Sequence, residues 1–196
     1  RYHEFASEEL QGLDPRLIDG FEYVSLHAPK FDYKLGKPTF ELLRQIERLS
    51  GRLALDLVIF HPDIIADFKI FKGVAIRIGI ENMDNRKTSF RTPREIEDLL
   101  SLHPDYAFVL DVNHAWSNGQ NAQAVEAFRI LQGRLGQVHL SGYAGYHDPL
   151  QITRQRELIA EAARYGAPII VESEVSPETL QAELDYILQT IKGLRG

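Results

Sequence analysis

Imidazoles and carboxylates recur along this chain at the ends of short apolar runs. In order they are His27 in VSLHAP, His61 in LVIFHP, Glu81 in VAIRIGIEN, Asp111 and His114 in FVLDVNHA, His139 in QVHLS and Glu172 in PIIVESE. His147 follows the fifth run by a few residues. These side chains are the ligands that suit zinc or manganese. One of them at a strand end means little. Eight at successive strand ends predict that the strands lie side by side and aim their ends at one metal-filled pocket. An unpaired carboxylate at the end of a buried strand costs several kcal/mol, so each requires a cation or hydrogen-bond partners. The competing reading for the carboxylates is a salt bridge to an interior arginine such as Arg77. His27 and His61, each closely followed by proline, could instead be turn histidines, and His114 a neutral histidine that binds substrate. His3 and His103 have no strand context and are expected at the surface.

The elements that must position these groups are legible as alternating patterns. Residues 21–28, 55–61, 74–81, 106–111, 137–141 and 168–172 are rich in Val, Ile, Leu and Phe and have strand length. Amphipathic stretches at 38–51, 94–102, 121–133, 151–164 and 177–193 predict helices. Thr92-Pro93-Arg94-Glu95 and Ser176-Pro177-Glu178-Thr179 read as helix starts. Gly51, Gly133 and Gly166 are expected to end three helices in the left-handed conformation. Segments 62–73 and 82–93 are expected as loops or short irregular helices.

Strand–helix alternation without hairpin signals implies a parallel sheet. Near-continuous apolar strands imply that both faces are covered. Parity places Glu81 with Gly79, Arg77 and Ala75 on one face and Ile76, Ile78 and Ile80 on the other. His61 shares a face with Ile59 and Leu57, His139 with Gln137 and Ser141, and Glu172 with Ile170. Polar residues are therefore expected on the ligand-bearing face and aliphatics on the other. An open doubly wound sheet puts its site at one crevice. Only a barrel brings this many strand ends to one point, at the carboxyl end where barrel enzymes do their chemistry. The expected fold is a TIM-type (β/α) barrel forming one domain over 1–196. A complete barrel has eight strands and about 250 residues, so one or two N-terminal strands are expected to be missing. Arg1–Phe5 could be the tail of a seventh. The chain opens at Arg1, which suggests a processed or truncated form, and another copy of the chain could cover the open edge.

The bulk properties narrow the class. With 196 residues the chain can build one sizeable core. It has no cysteine, which excludes disulfides, thiolate zinc sites and a cysteine nucleophile. No apolar run approaches the roughly 18 residues that span a bilayer. No signal peptide is evident, so the cytoplasm is the expected compartment. The net charge of −6 gives no general attraction to nucleic acid, although one basic loop could still hold phosphates.

The ordered set of ligand strands resembles the xylose-isomerase-like barrel superfamily, which holds endonuclease IV (AP endonuclease family 2) and the sugar and sugar-phosphate isomerases and epimerases. The similarity runs from about residue 21 to the C-terminus. Its most specific stretch is Asp111-Val-Asn-His114-Ala-Trp-Ser-Asn-Gly119, which follows the endonuclease IV spacing of aspartate, histidine and glycine. His27-Ala-Pro, His61-Pro, Glu81-Asn82, His139-Leu-Ser141 and Glu172-Ser are weak alone and strong as a set. The resemblance implies a centre of up to three zinc ions with nine ligands. Eight match here: His27, His61, Glu81, Asp111, His114, His139, His147 and Glu172. The ninth, an aspartate two residues before the last histidine, is Gly145. An aromatic residue three after the first histidine is Lys30 here, with Phe31 and Tyr33 close by. The isomerase and epimerase branch implies four ligands, Glu81, Asp111, His139 and Glu172, around a single Mn2+ or Mg2+. There Glu81 and Glu172 would also be the acid and base that move the substrate proton.

Two enzymatic readings follow. The first is a phosphoester hydrolase with two or three zinc ions, which explains so many neutral histidines; abasic DNA is the substrate that the resemblance suggests. Glu81 would bridge metals and Glu172 would position the nucleophilic water. The second is a sugar or sugar-phosphate isomerase or epimerase with one Mn2+ or Mg2+, favoured by the acidic surface, the short loops and the missing aspartate. A non-catalytic metal-binding barrel is a further alternative. The basic loop from Asn85 to Arg91, with Arg86 and Arg91, suits a phosphate-bearing substrate. Lys30, Trp116 and Tyr143, with Tyr146 nearby, complete the expected substrate contacts.

Overall fold

The computed structural model describes residue 12 and residues 14–194. Six strands, β1 (Ser25–His27), β2 (Leu57–Phe60), β3 (Ile78–Glu81), β4 (Ala107–Asp111), β5 (Leu135–Leu140) and β6 (Ile169–Val171), form one sheet in chain order. Every adjacent pair is parallel, as the alternation predicts. The sheet is a curled half-barrel. Among the described residues β6 does not pair back to β1, so both edges are open. The segment Arg1–Phe5, expected as a seventh strand's tail, lies outside the described residues.

The crossovers are helical. α1 (Lys37–Leu53) joins β1 to β2, and 3-10 turns at Pro62–Ile64 and Phe68–Phe71 lie between β2 and β3. α2 (Pro93–Leu102) follows β3, while α3 (Val112–Gly119), α4 (Ala122–Glu126) and a 3-10 segment (Ala127–Arg134) follow β4. α5 (Leu150–Thr153) and α6 (Arg156–Arg164) lead to β6, and α7 (Pro177–Gly193) ends the fold. Among the described residues no helix is long and apolar enough to cross a membrane.

Period-two alternation sorts the strand side chains. Val58, Phe60, Ile78, Ile80, Phe108, Leu110, Val138 and Leu140 join helix residues such as Leu42, Ile46, Ile96, Leu99, Leu158 and Ile159 in the main core. The opposite, concave face carries the ligand-type residues at the carboxyl ends. Below them Leu57, Ile59, Ala107 and Val109 form a second apolar cluster, so that face is not uniformly polar. The curl brings these side chains close together. A Cβ on Gly79 would lie 2.9 Å from Val109 Cγ2 and 3.0 Å from Leu57 Cδ2, so only glycine fits there.

Several boundaries differ from the sequence reading. α1 runs through Gly51 and ends at Ala54, which takes the left-handed conformation (φ 49°) and returns its N–H to Ser50 O. Gly133 lies inside the 3-10 segment, while Gly166 is left-handed (φ 66°) as expected. The stretch 121–133 changes from α to 3-10 at Ala127, and 151–164 breaks at Arg154 (φ 60°). α3 was not anticipated. His103 is half-buried and stacked on Tyr106, with ring centroids 4.6 Å apart, rather than on the surface. His3 lies outside the described residues.

Candidate metal centre

The carboxyl ends of the strands open into a cavity of about 580 Å³, lined by His27, Lys30, His61, Ile64, Glu81, Asp84, Arg86, Lys87, His114, Tyr146, His147, Glu172 and Glu174. The eight residues expected as ligands converge in three overlapping groups. His27, His61 and Glu81 form one; Glu81, Asp111, His139 and Glu172 the second; Asp111, His114 and His147 the third. Within each group one donor atom per residue lies within 4.8 Å of the others. Glu81 and Asp111 are the shared members.

The charges explain why these groups can be packed together. Glu81 is 1% exposed, and its two oxygens face different partners. Oε2 lies 3.2 Å from His27 Nε2 and 3.3 Å from His61 Nε2, while Oε1 lies 3.2 Å from His139 Nδ1 and 3.4 Å from His114 Nδ1. His139 Nδ1 is also 3.1 Å from Glu172 Oε1. Burial opposes the charge on Glu81, yet His139 and His61 beside it hold its carboxyl well below the usual range. Burial likewise opposes a charged His139, but Glu172 and Glu81 push it well above the ordinary imidazole value. For Glu172, burial is outweighed by His139, which lowers it. Asp111 goes the other way: burial raises it, only partly offset by His114. Such a cluster requires bound protons or cations.

Local structure orients each ring. Asn82, the residue after β3, is fully buried; its side chain bridges to β4 by donating to Asp111 O (3.0 Å) and accepting from Asp111 N–H (2.8 Å). Asp111 in turn caps α3, accepting from His114 N–H (2.8 Å). The first turn of α3 then places His114 three residues on. Asn82 O accepts from His114 Nδ1 (2.9 Å). Nε2 of His114, buried without a hydrogen-bond partner, is the ring nitrogen left for an ion. His139 Nε2 meets the Gln137 side-chain amide, and Gln137 Oε1 is buried without a partner. Exchanging that amide's O and N lets His139 Nε2–H donate and leaves Nδ1, between the Glu81 and Glu172 carboxylates, to hold a proton or an ion. Ser141 Oγ holds His147 Nδ1 at 2.8 Å. Each of these contacts leaves the opposite ring nitrogen available, the arrangement that metal-binding histidines use.

Divalent ions fit this donor set. Asp111 Oδ2 and His114 Nε2 are buried and lack a hydrogen-bond partner, and both belong to the converging groups. The arginine alternative does not hold, because Arg77 is exposed.

The expected substrate contacts divide. Lys30 and Arg86 line the cavity. Arg86 is engaged: it donates to both oxygens of Asp84 and lies 4.2 Å over the Tyr146 ring. Asp84 is correspondingly lowered to about 2, burial being outweighed by the Arg86 hydrogen bonds. Arg91 does not line the cavity; its Nε donates to Asn118 Oδ1 (2.7 Å). Trp116 packs against the main core, because α3 turns that side of the helix inward. Tyr143 is also outside the lining, and its backbone is held by Gln155. Tyr146 lines the cavity instead. Phe31 packs on Tyr33, whose buried hydroxyl donates to Pro29 O. Gly145, where the resemblance places an aspartate, is exposed. The neighbouring Asp148 turns away, its Oδ2 accepting from the N–H groups of Ala144, Gly145 and Tyr146.

Sequence reasoning missed the supporting roles of Asn82, Asp84 and Gln137. The available signals were polar residues directly after or within apolar strands, IEN and QVH, where burial demands a partner.

No protein-family model and no curated protein matches the chain. Solved structures do. Endonuclease IV from Thermus thermophilus superposes with a TM-score of 0.73, covering 98% of this chain and 85% of that one at 16% identity. A D-tagatose 3-epimerase-like protein gives 0.62, covering 95% and 86% at 21% identity. D-psicose 3-epimerase from Clostridium cellulolyticum gives 0.63, covering 95% and 85% at 13% identity. The chain shares the fold of xylose-isomerase-like TIM-barrel proteins, a group of neighbours that includes both an endonuclease and sugar epimerases.

Proposed function

We propose that the protein is a metal-dependent phosphoester hydrolase with a multinuclear zinc centre, acting on phosphodiesters of the abasic-DNA type. The observation that carries this reading is the three overlapping ligand groups. They engage His27, His61, His114 and His147 in addition to the four residues that one metal would require. His27, His61 and Glu81 would hold one ion. Glu81, Asp111, His139 and Glu172 would hold a second, and His114 and His147 belong to a third position. Bound zinc ions supply hydroxide at neutral pH and neutralise charge on attacking and leaving oxygens.

The chain's own residues do the rest. Glu81 spans two groups and fixes their spacing. Glu172, less deeply buried than Glu81, lines the cavity and is placed to orient the attacking water. Lys30 on the rim offers a cation to a phosphate oxygen, and Tyr146, covered by Arg86, forms the wall beside His147. The floor of Leu57, Ile59 and Val109 seals the site from below.

A second reading, sugar or sugar-phosphate isomerisation or epimerisation with one Mn2+ or Mg2+, draws support from one observation. Arg86 and Lys87 are each paired with an aspartate, Asp84 and Asp63, which leaves the rim less basic than its sequence suggests.

Activity assays separate the two. Zinc-loaded protein is expected to cleave an abasic-site duplex or an aryl phosphodiester. His27→Ala and His61→Ala should each lower that rate about 100-fold or more, the several kcal/mol that a catalytic metal supplies. Interconversion of ketohexoses by both variants at near-normal rate, with no phosphodiester cleavage by the parent protein, would overturn the hydrolase reading in favour of the second.

A further inference from the structure

The cavity is uneven in charge. The loops after β1, β2 and β3 contribute Lys30, Ile64 and Lys87 to its lining, and the segment after β6 contributes Glu174. Lys30 is exposed, with no anion paired to it among the described residues. The loop that carries it is zipped to the loop after β2. Tyr33 N–H donates to Ile64 O (3.1 Å), and Ala66 N–H donates to Tyr33 O (2.8 Å). The buried Tyr33 hydroxyl donates to Pro29 O (2.8 Å), next to Lys30. The loop after β3 is tied to the same place by Lys87, whose Nζ donates to Asp63 Oδ2 (2.6 Å), beside Ile64. Three loops therefore meet around Ile64, with a lysine from the first and a lysine from the third.

Asp63 does not use up Lys87. An ammonium has three donors, and Asp63 accepts from one of them. The other oxygen of Asp63 is buried without a hydrogen-bond partner, so the aspartate and the lysine hold each other in place. Two lysines less one aspartate leave a net charge of +1, which matches the single negative charge of a phosphodiester. Arg86 takes no part, because Asp84 accepts from its Nε and Nη2 and its face lies on Tyr146. The lysines also stand apart from the ligand groups, whose central carboxylate, Glu81, is 1% exposed while the Lys87 side chain is 30% exposed. Ions held in those groups would already neutralise the phosphate being cleaved. The rim pair meets the next charge along the substrate.

We propose that Lys30 and Lys87 form a subsite for the phosphate that flanks the scissile one, so that the substrate is a strand carrying successive phosphates rather than an isolated diester. The proposal rests on the hydrolase reading above. Asp63 is a positioning residue that aims Lys87. Glu174, on the part of the lining that follows β6, repels a phosphate there, so the strand enters the site in one direction.

The test is the affinity of zinc-loaded protein, by titration calorimetry, for a deoxynucleoside bisphosphate phosphorylated on both sugar hydroxyls and for the tighter-binding of its two monophosphates. The parent is expected to favour the bisphosphate about 10–100-fold, as charge-assisted hydrogen bonds allow. Lys30→Met should bring that ratio close to one. Lys87→Met is made together with Asp63→Asn, so that no buried carboxylate is left unpaired and the net charge of the rim is unchanged; this double variant should also bring the ratio close to one. Circular dichroism and zinc content check both proteins. A ratio kept in either variant overturns the proposal. A parent ratio near one, in protein that cleaves an aryl phosphodiester, overturns the subsite and leaves the hydrolase reading standing. No cleavage overturns that reading and the subsite with it.

Discussion

Asn82 offers a test of how the centre is held, because it is not itself a ligand. Its side chain makes two hydrogen bonds to the backbone of Asp111, in a fully buried position between β3 and β4. Asn82→Ala removes both. The Asp111 N–H is left without an acceptor, at about 1–3 kcal/mol for an orphaned buried group, and the loss at the carbonyl adds about 1 kcal/mol. The expected destabilisation is about 2–4 kcal/mol, equivalent to about 4–16 °C in Tm for a chain of this size. The same change frees the backbone that carries Asp111 and starts α3, so zinc affinity should fall about 10–100-fold. Thermal melts of metal-free protein give the first quantity and competitive zinc titration the second. A Tm within about 1 °C of the parent, with unchanged zinc affinity, would refute the assignment of Asn82 as the clamp of the centre.

Three further outcomes are expected. Gly79→Ala should cost about 1–3 kcal/mol by overpacking the concave floor against Val109 and Leu57; denaturant titration measures it, and a neutral result would mean that the floor is looser than described. Glu95 has a lowered carboxyl: burial opposes its charge, but Thr92 and the N–H groups of Phe90, Arg91 and Thr92 stabilise it. Because its folded pKa lies below the unfolded value, its contribution is present above about pH 4.3 and is lost as pH falls through the folded value. Metal-free parent and Glu95→Gln should therefore differ in stability at pH 6, and the difference should shrink as pH falls through the folded value; a pH-independent difference would contradict this. Zinc removal by chelator should lower Tm, since ligand at about 1,000 times its Kd contributes about 4 kcal/mol per site, and added zinc should restore it.

The strands were the most legible part of this chain. Runs such as LVIF and IIV are long enough, β-branched enough and bounded sharply enough to be read as buried strands, and parity then assigned Glu81, Gly79 and Leu57 to one face. The helix starts at Thr92 and Ser176 were legible because capping chemistry is local. α3 was not. Val112–Gly119 contains two asparagines and a glycine, poor helix formers, and its N-cap is Asp111, a residue whose placement at a strand end suggested a different role. It serves both. The helix also explains why Trp116 is packed inward rather than offered to a substrate. The convergence of the ligand residues was legible from their order. The pairings of Arg86 with Asp84 and Arg91 with Asn118 were not, since nothing in the run NRKTSFR specifies which cations the fold neutralises.

The central claim is that these strand ends build a multinuclear metal centre. Metal content per chain, measured by plasma mass spectrometry on untagged protein purified without chelator, tests it most directly. Two or three zinc ions per chain are the expected result. One manganese or magnesium, or a single exchangeable zinc, would contradict the account and reduce the centre to Glu81, Asp111, His139 and Glu172.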